Sequence, residues 1–182
     1  MSFALKFPVL VAILVLSTCS AHRPGASEPV SLKLLPPAEA SSSVLIKQKI
    51  TLQRDATQQQ FLAVARFEFR RMQLVVLQPT GQKILSLDYD GAKLVQEDNA
   101  SVDLPGREIL AIIQFATWPE KSIRSHYPEK DGWLVEIAAN RRILLTASGA
   151  VLKISYQPGE LTVDNYLQGY RVIVNTLERT EL

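Results

Sequence analysis

The sequence of 182 residues contains one cysteine and two histidines, and these shortages exclude several classes of function. A lone thiol cannot form an internal disulfide bond. His22 and His126 have no cysteine or carboxylate at the spacing of a zinc site. The chain also lacks the Gly-x-Ser-x-Gly element of many serine hydrolases. We therefore predict that the protein is not an enzyme and needs no metal and no cofactor.

The sequence also has no large excess of positive or negative charge. Twenty Lys and Arg residues are nearly balanced by 18 Asp and Glu residues, which leaves a formal net charge of +2. The longest basic clusters are the pairs Arg70-Arg71 and Arg141-Arg142. Binding to the phosphate backbone of a nucleic acid depends on a concentrated basic surface. We therefore expect no nucleic-acid partner.

No apolar run in the sequence is long enough to form a transmembrane helix, which needs roughly 20 residues. The longest one, Val9 to Leu16, follows the positively charged Lys6 near the start of the chain. A short apolar segment behind a positive charge is typical of the core of a secretory signal peptide. The pattern predicts that residues 1–18 are a signal peptide.

The single cysteine comes directly after this run, in the segment Leu16-Ser17-Thr18-Cys19. A leucine three residues before a cysteine, with small residues between, resembles the lipobox that directs bacterial lipoprotein processing. The resemblance implies that Cys19 carries the lipid anchor. Ser20, where an aspartate would retain a lipoprotein in the inner membrane of enterobacteria, favours the periplasmic face of the outer membrane. The alternative is an unmodified cysteine in a signal peptide that is cleaved further along, but an isolated thiol in an exported chain is a liability.

The remainder of the chain divides by composition into a tether and one domain. Ser, Ala, Pro and Gly dominate residues 19–43, which we predict to be a flexible tether behind the lipidated cysteine. Val30 to Leu35 is the exception, because it is apolar enough to lie against the domain. Residues 44–182 form the predicted domain, which is long enough to bury a sizeable core.

Alternating apolar and polar residues predict a β-rich domain. A helix interrupts this pattern, beginning near Pro105 and ending at Pro119, with Ile109, Ile112, Ile113 and Ala116 at helical spacing. Predicted strands cover residues 44–54, 60–69, 72–78, 83–90, 93–97, 132–138, 141–147, 150–156, 161–166 and 170–177. The predicted fold class is mainly β with one or few helices, arranged as a half-open antiparallel β-barrel that a helix covers.

The segment from Leu77 to Leu87, Leu-Gln-Pro-Thr-Gly-Gln-Lys-Ile-Leu-Ser-Leu, consists of a strand, a Pro-x-Gly turn and a second strand. Together with the element order, it resembles the LolA/LolB superfamily of lipoprotein carriers and receptors over residues 44–177. Within that superfamily the likeness is to a LolB-like branch often linked to aryl-polyene gene clusters. The resemblance implies an apolar interior that accepts an acyl chain or a lipoprotein, delivery of lipoproteins or polyene lipids to the outer membrane, and a periplasmic carrier protein as partner.

The same resemblance implies that the turn Pro79-Thr80-Gly81 faces the membrane. In LolB the middle residue of this turn is a protruding leucine that helps to insert lipoproteins into the bilayer. Thr80 is polar, and its hydroxyl resists leaving water. The departure puts the insertion function in doubt and leaves the lipid-binding fold in place.

Apolar residues that face inward are the candidates for the lining of a ligand cavity. We expect the protein to act as a monomer. The predicted lining residues are Phe67, Phe69, Leu85, Leu87, Ile109, Ile112, Ile113, Trp133, Val135 and Ile137. The same residue types also fill ordinary cores. With a filled core the chain would instead be a structural or assembly-factor lipoprotein that binds a protein partner. An apolar cavity above about 300 Å³, the lower end for ligand sites, separates the two hypotheses.

The predicted lipid anchor is tested by replacing Cys19 with serine. Because the thiol is the atom that would be acylated, Cys19→Ser should abolish metabolic labelling by an alkyne fatty acid. The uncleaved protein should also remain at the inner membrane with its signal peptide attached. Labelling that persists in Cys19→Ser would contradict the assignment.

Overall fold

The structure, a computed structural model, describes residues 30–98 and 104–182, and residues 31–182 form one compact unit. The strands are β1 (Val44–Arg54), β2 (Thr57–Glu68), β3 (Arg71–Leu77), β4 (Lys83–Tyr89), β5 (Leu94–Asp98), β6 (Leu134–Ala138), β7 (Arg141–Thr146), β8 (Gly149–Gln157), β9 (Glu160–Asn165) and β10 (Tyr170–Glu181). The helices are α1 (Gly106–Thr117) and α2 (Glu120–His126), and short 3-10 turns cover Pro37–Glu39 and Glu129–Asp131.

All ten strands belong to one sheet in the order β5-β4-β3-β2-β1-β10-β9-β8-β7-β6. Every pairing is antiparallel, and β5 and β6 remain at opposite edges, so the sheet is open. The two helices occur in the connection between these edge strands. The predicted half-open antiparallel architecture with a covering helix is therefore confirmed.

The first and last strands of the domain lie side by side at the centre of the sheet. β1 pairs with β10 from Val44 opposite Glu181 to Gln53 opposite Arg171. This long-range pairing joins two meanders, β1 to β5 and β6 to β10, into a single surface. The ends of the strands that carry the β1–β2, β3–β4 and β9–β10 turns all lie at one end of the sheet, which we call the hairpin end.

Alternation along the strands places one set of side chains in the core, as the sequence predicts. In β2, Ala63, Ala65 and Phe67 are buried on one face. The prediction that Phe69 faces inward is wrong. Strand β2 ends at Glu68, and Phe69 lies in the following turn with 51% of its surface exposed. The turn reverses the chain before the alternating pattern would bring Phe69 inward.

The second helix is an element that the sequence pattern did not predict. Pro119, the residue expected to end the helical region, is the N-cap of α2, and Trp118 between the two helices is extended. Only two residues of α2, Ser122 and Ile123, are buried. Seven residues with so few buried positions give too short a repeat for helical periodicity to be recognised. His126 is the last residue of this helix.

The described part of the predicted tether, which begins at residue 30, is packed against the domain, although the sequence predicted a flexible segment. Leu32 and Leu35 are buried, as the apolar character of Val30 to Leu35 suggested, and Pro37 is buried in the 3-10 turn. The packed domain therefore begins before Val44. Because no strand pairs with residues 31–36, the buried backbone of this segment needs other hydrogen-bond partners.

Side chains from the helical region supply those partners. The Gln114 side chain accepts a hydrogen bond from the Leu35 N–H at 2.8 Å and donates one to the Leu35 carbonyl at 2.6 Å. The Tyr127 hydroxyl does the same for Lys33, at 2.8 Å from its N–H and 3.2 Å from its carbonyl. The Trp118 indole donates to the Pro36 carbonyl at 3.1 Å. The segment is thus bonded as a strand would be, with side chains in place of a neighbouring backbone.

Neither helix in the described ranges is long and apolar enough to cross a membrane.

The structure predicts that Gln114 is essential for stability, although it is a polar residue. Gln114→Met keeps a similar shape but leaves the buried N–H and C=O of Leu35 unpaired. Each unpaired group costs about 1–3 kcal/mol, so the loss of both should lower the free energy of unfolding by about 2–6 kcal/mol in urea denaturation. The control Gln60→Met, at an exposed position of β2, should change it by less than about 0.5 kcal/mol. An equally small effect of Gln114→Met would contradict this account.

Candidate functional site

A cavity of about 370 Å³ lies between α1 and the central strands of the sheet. This volume is within the range of small-molecule sites, roughly 300–1,000 Å³. Most of its wall is apolar, and the polar residues in it are Gln48, Arg54, Thr57, Gln59 and Thr117. The apolar wall is formed by Ile46, Ile50, Leu52, Phe61, Ala63, Phe67, Leu74, Val76, Leu104, Pro105, Ile109, Ile112, Ile113, Ala116, Leu161, Val163, Tyr170, Val172 and Val174.

Helix α1 forms one wall of the cavity because its two apolar faces have different neighbours. Residues at helical spacing on one face line the cavity: Ile109, Ile112, Ile113 and Ala116. Residues on the other face are fully buried in the core: Leu110, Ala111, Gln114 and Phe115. A helix with one apolar face would have to pack it directly onto the sheet. Here the second face packs into the core, and the first is free to border a cavity.

Polar contacts fix the start of α1 above β9 and β10. The Glu108 carboxylate accepts hydrogen bonds from the Asn165 side-chain amide at 2.6 Å and from the Tyr170 hydroxyl at 3.0 Å. Burial, and then the negative charge of Glu108, raise the pKa of the Tyr170 hydroxyl, so that it stays protonated and remains a donor. A carboxylate in the first turn also interacts favourably with the helix dipole.

The end of α1 is held by side chains from β7 and β8. The Arg142 guanidinium donates to the carbonyls of Phe115 and Trp118 at 2.8 and 2.7 Å. The Tyr156 hydroxyl donates to the carbonyl of Ala116 at 2.6 Å. These are carbonyls that the last turn of a helix leaves without an internal partner. Both ends of α1 are therefore fixed by hydrogen bonds, and the cavity lies under the face between them.

The two ends of the cavity differ in exposure. At one end Ile46 and Phe67 are buried, and the Phe67 ring packs edge-on against Trp118 with 6.0 Å between centroids. Both residues also line a smaller pocket of about 180 Å³ beyond them, so they form the partition between the two spaces. At the other end, the hairpin end, Arg54, Thr57 and Gln59 are exposed. The cavity therefore has one end at which Ile46 and Phe67 are buried, which we call the closed end, and a polar mouth at the hairpin end.

Four of the predicted lining residues, Phe67, Ile109, Ile112 and Ile113, lie in the cavity wall. Phe69 is exposed and does not contribute to it. Leu85, Leu87, Trp133 and Val135 lie in the core outside the wall, and the partly buried Ile137 packs against that core. Trp133, for example, packs edge-on against the Tyr127 ring with 5.1 Å between centroids.

Cys19 lies outside the described residues. The predicted membrane-facing turn, Pro79-Thr80-Gly81, is exposed at the hairpin end of the sheet, where the cavity opens. Two exposed apolar side chains that the sequence analysis did not single out, Tyr166 and Leu167, are at the same end in the β9–β10 turn. In the described ranges, no three His, Cys, Asp or Glu side chains are grouped so that they could hold a metal ion.

The central strands contain the cavity residues that the sequence analysis missed. Val172 and Val174 of β10 and Leu161 and Val163 of β9 line the cavity at alternate positions. Their period-two pattern was visible and did predict the strands. Nothing local to the sequence indicated that β10 lies beside β1 and therefore under α1.

Comparison with known proteins gives a family and distant structural likenesses. Residues 45–178 match the family described as "Protein of unknown function (DUF3261)". No curated protein is significantly similar in sequence. A crystal structure from Vibrio parahaemolyticus, described as an outer membrane lipoprotein-sorting protein domain, is similar with a TM-score of 0.38 and 6% identity over 77% of this chain and 85% of that one. A likeness of this size carries no conclusion about function.

The cavity predicts that an added side chain on its wall will block an apolar ligand. Val174→Trp would place an indole in the space under α1, whereas Ile173→Trp would place one on the opposite face of the same strand. Binding of the neutral fluorescent dye N-phenyl-1-naphthylamine should weaken about tenfold or more in Val174→Trp, a loss of about 1.4 kcal/mol or more. Ile173→Trp should bind like the wild type. Equal binding by both variants would place the dye elsewhere.

Proposed function

The chain belongs to the DUF3261 family, and we propose that it is a non-enzymatic lipoprotein that binds an acyl chain in the cavity under α1. The observation that carries the proposal is the form of this cavity. Its wall is mostly apolar, with Ile46 and Phe67 buried at one end and exposed polar residues at the mouth. An acyl chain has the matching distribution of polarity, with a long apolar tail and one polar end.

Burial of the tail supplies the affinity in this proposal. Each buried methylene contributes about 0.8 kcal/mol, so eight to ten methylenes give roughly 6–8 kcal/mol before the costs of association. The mouth leaves the polar end of the ligand in water, which avoids the cost of burying it. A filled core, as the alternative assembly-factor hypothesis requires, would leave no cavity of this volume. The cavity thus favours acyl binding over that alternative.

The sequence supports a cellular role for this binding. The lipobox-like segment ending at Cys19, with Ser20 after it, supports a location at the periplasmic face of the outer membrane. The resemblance to LolA/LolB carriers and receptors adds a direction of transport. The protein would act as a monomer that receives a lipoprotein or a polyene lipid from a periplasmic carrier and delivers it to the outer membrane.

The experiment that tests acyl binding uses a form that begins at Ser20, which retains the whole compact unit of residues 31–182. An environment-sensitive fluorescent fatty acid should increase its emission when this form is added, and unlabelled fatty acid should reverse the increase. Val174→Trp should abolish the signal and Ile173→Trp should keep it. If the wild type gives no signal, the acyl-binding function is wrong.

The β3–β4 turn gives a second prediction, which concerns the membrane. Thr80 is exposed at the hairpin end, and a leucine there could bury its side chain in the bilayer for about 1.5–3 kcal/mol. We expect the form beginning at Ser20 to float only weakly with liposomes and Thr80→Leu to float more strongly, with unchanged affinity for the fluorescent fatty acid. Asn140→Leu, in the exposed β6–β7 turn at the opposite end of the sheet, is the control. Wild-type flotation as strong as that of Thr80→Leu would show that the turn is not the limiting contact.

A further inference from the structure

The mouth of the cavity contains one charged side chain in its described wall, that of Arg54. Arg54 is the last residue of β1, where Leu52, two residues earlier, still belongs to the apolar wall. The long stem of an arginine can follow such a wall while its guanidinium remains in water. A positive charge therefore lies at the mouth, where the polar end of a ligand with an apolar tail would lie.

The structure holds this guanidinium in place without neutralising it. Its central carbon lies 5.4 Å from the centre of the Tyr170 ring, in a cation–π contact. Among the described residues, Arg54 takes part in no ion pair. Arg171, one residue from Tyr170, is paired with Asp164 at 2.6 Å instead. The charge of Arg54 is thus available to a ligand.

Two other charged groups lie near the cavity. The Glu108 carboxylate keeps its negative charge, because its hydrogen-bond donors Asn165 and Tyr170 are neutral, but it does not line the cavity. Arg179, beside the smaller pocket at the closed end, is paired with Glu181 at 2.9 Å. An acidic head group would therefore interact more favourably at the mouth than at the closed end.

We propose that the cavity selects acyl chains with an anionic head group, a carboxylate or a phosphate, and that Arg54 binds that head group. This inference rests on the proposed acyl-binding function. The guanidinium can donate two parallel hydrogen bonds to either anion, and Gln59, which lies opposite Leu52 in the wall, offers an amide donor near the mouth. The tail enters under α1 toward Phe67 while the head group remains at Arg54. The contact orients the ligand and discriminates against neutral lipids of equal chain length.

The test compares ligands with the same twelve-carbon tail and different head groups. Dodecanoate, dodecyl phosphate and neutral dodecanol compete with N-phenyl-1-naphthylamine for the form beginning at Ser20, in the wild type, Arg54→Gln and Arg171→Gln. Because the dye and dodecanol are neutral, they report on the apolar cavity alone. Arg171→Gln removes an equal charge at the same end of the sheet, on the outer face of β10.

We expect the wild type to bind the anionic ligands more tightly than dodecanol. In Arg54→Gln the affinity for the anionic ligands relative to dodecanol should fall about five- to tenfold, as expected for the loss of one charge-assisted contact at an exposed site. Arg171→Gln should match the wild type. A loss confined to dodecanoate would identify carboxylate lipids, and a loss shared with dodecyl phosphate would identify acidic lipids in general; both support the proposal.

Three results would overturn it. An unchanged preference for anions in Arg54→Gln would show that Arg54 does not bind the head group. An equal loss in Arg171→Gln would assign the preference to net charge. Equal weakening of dodecanol by Arg54→Gln would make the residue structural. If the wild type binds neither the dye nor any ligand, acyl binding itself fails, which is distinct from the first three results.

Discussion

The position of helix α1 over the sheet is the constraint on which the rest of this structure depends. An open sheet of ten strands has one face that must be covered, and α1 and α2 form the connection between its two edge strands. Hydrogen bonds from Asn165 and Tyr170 hold the first turn of α1, and those from Arg142 and Tyr156 hold its last turn. Since the helix is fixed at its ends, its face toward β1 and β10 does not have to close onto the sheet.

This arrangement explains how an apolar cavity coexists with a stable domain. A cavity in a core normally costs stability because its lining loses contacts. Here the opposite face of α1 is fully buried, and the extended segment of residues 31–36 is bonded to Gln114, Trp118 and Tyr127. Burial raises the pKa of the Tyr127 hydroxyl to about 12, so that it keeps its proton and its role as a donor. Packing and hydrogen bonds in the rest of the interior thus offset the stability that the cavity costs.

The mouth of the cavity opens at the hairpin end of the sheet, where several side chains are exposed. Arg54 is at the mouth, Thr80 is in the β3–β4 turn, and Tyr166 and Leu167 are in the β9–β10 turn at the same end. In the proposed function, a ligand would enter and leave the cavity there. In these proposals Arg54 would set the orientation of the ligand, and the polarity of the neighbouring turns would set the strength of membrane contact. Both features lie at the same end of the sheet.

The sequence by itself determined the local elements. Period-two alternation predicted all ten strands, and helical spacing of Ile109, Ile112, Ile113 and Ala116 predicted α1, because a strand or helix that buries one face must repeat its apolar residues at its own period. Local pattern did not predict α2, whose buried residues are too few, or the exposure of Phe69 beyond the end of β2.

Only the tertiary structure decided which apolar residues surround a cavity and which fill the core. Leu85 and Val172 look alike in sequence, each an inward residue of an alternating strand, yet Leu85 is packed in the core and Val172 borders the cavity. The difference arises from the pairing of β1 with β10, across more than a hundred residues of chain, and from the hydrogen bonds that fix α1 above that pair. Neither contact can be recognised from local periodicity in the sequence, because both join residues that are distant along the chain.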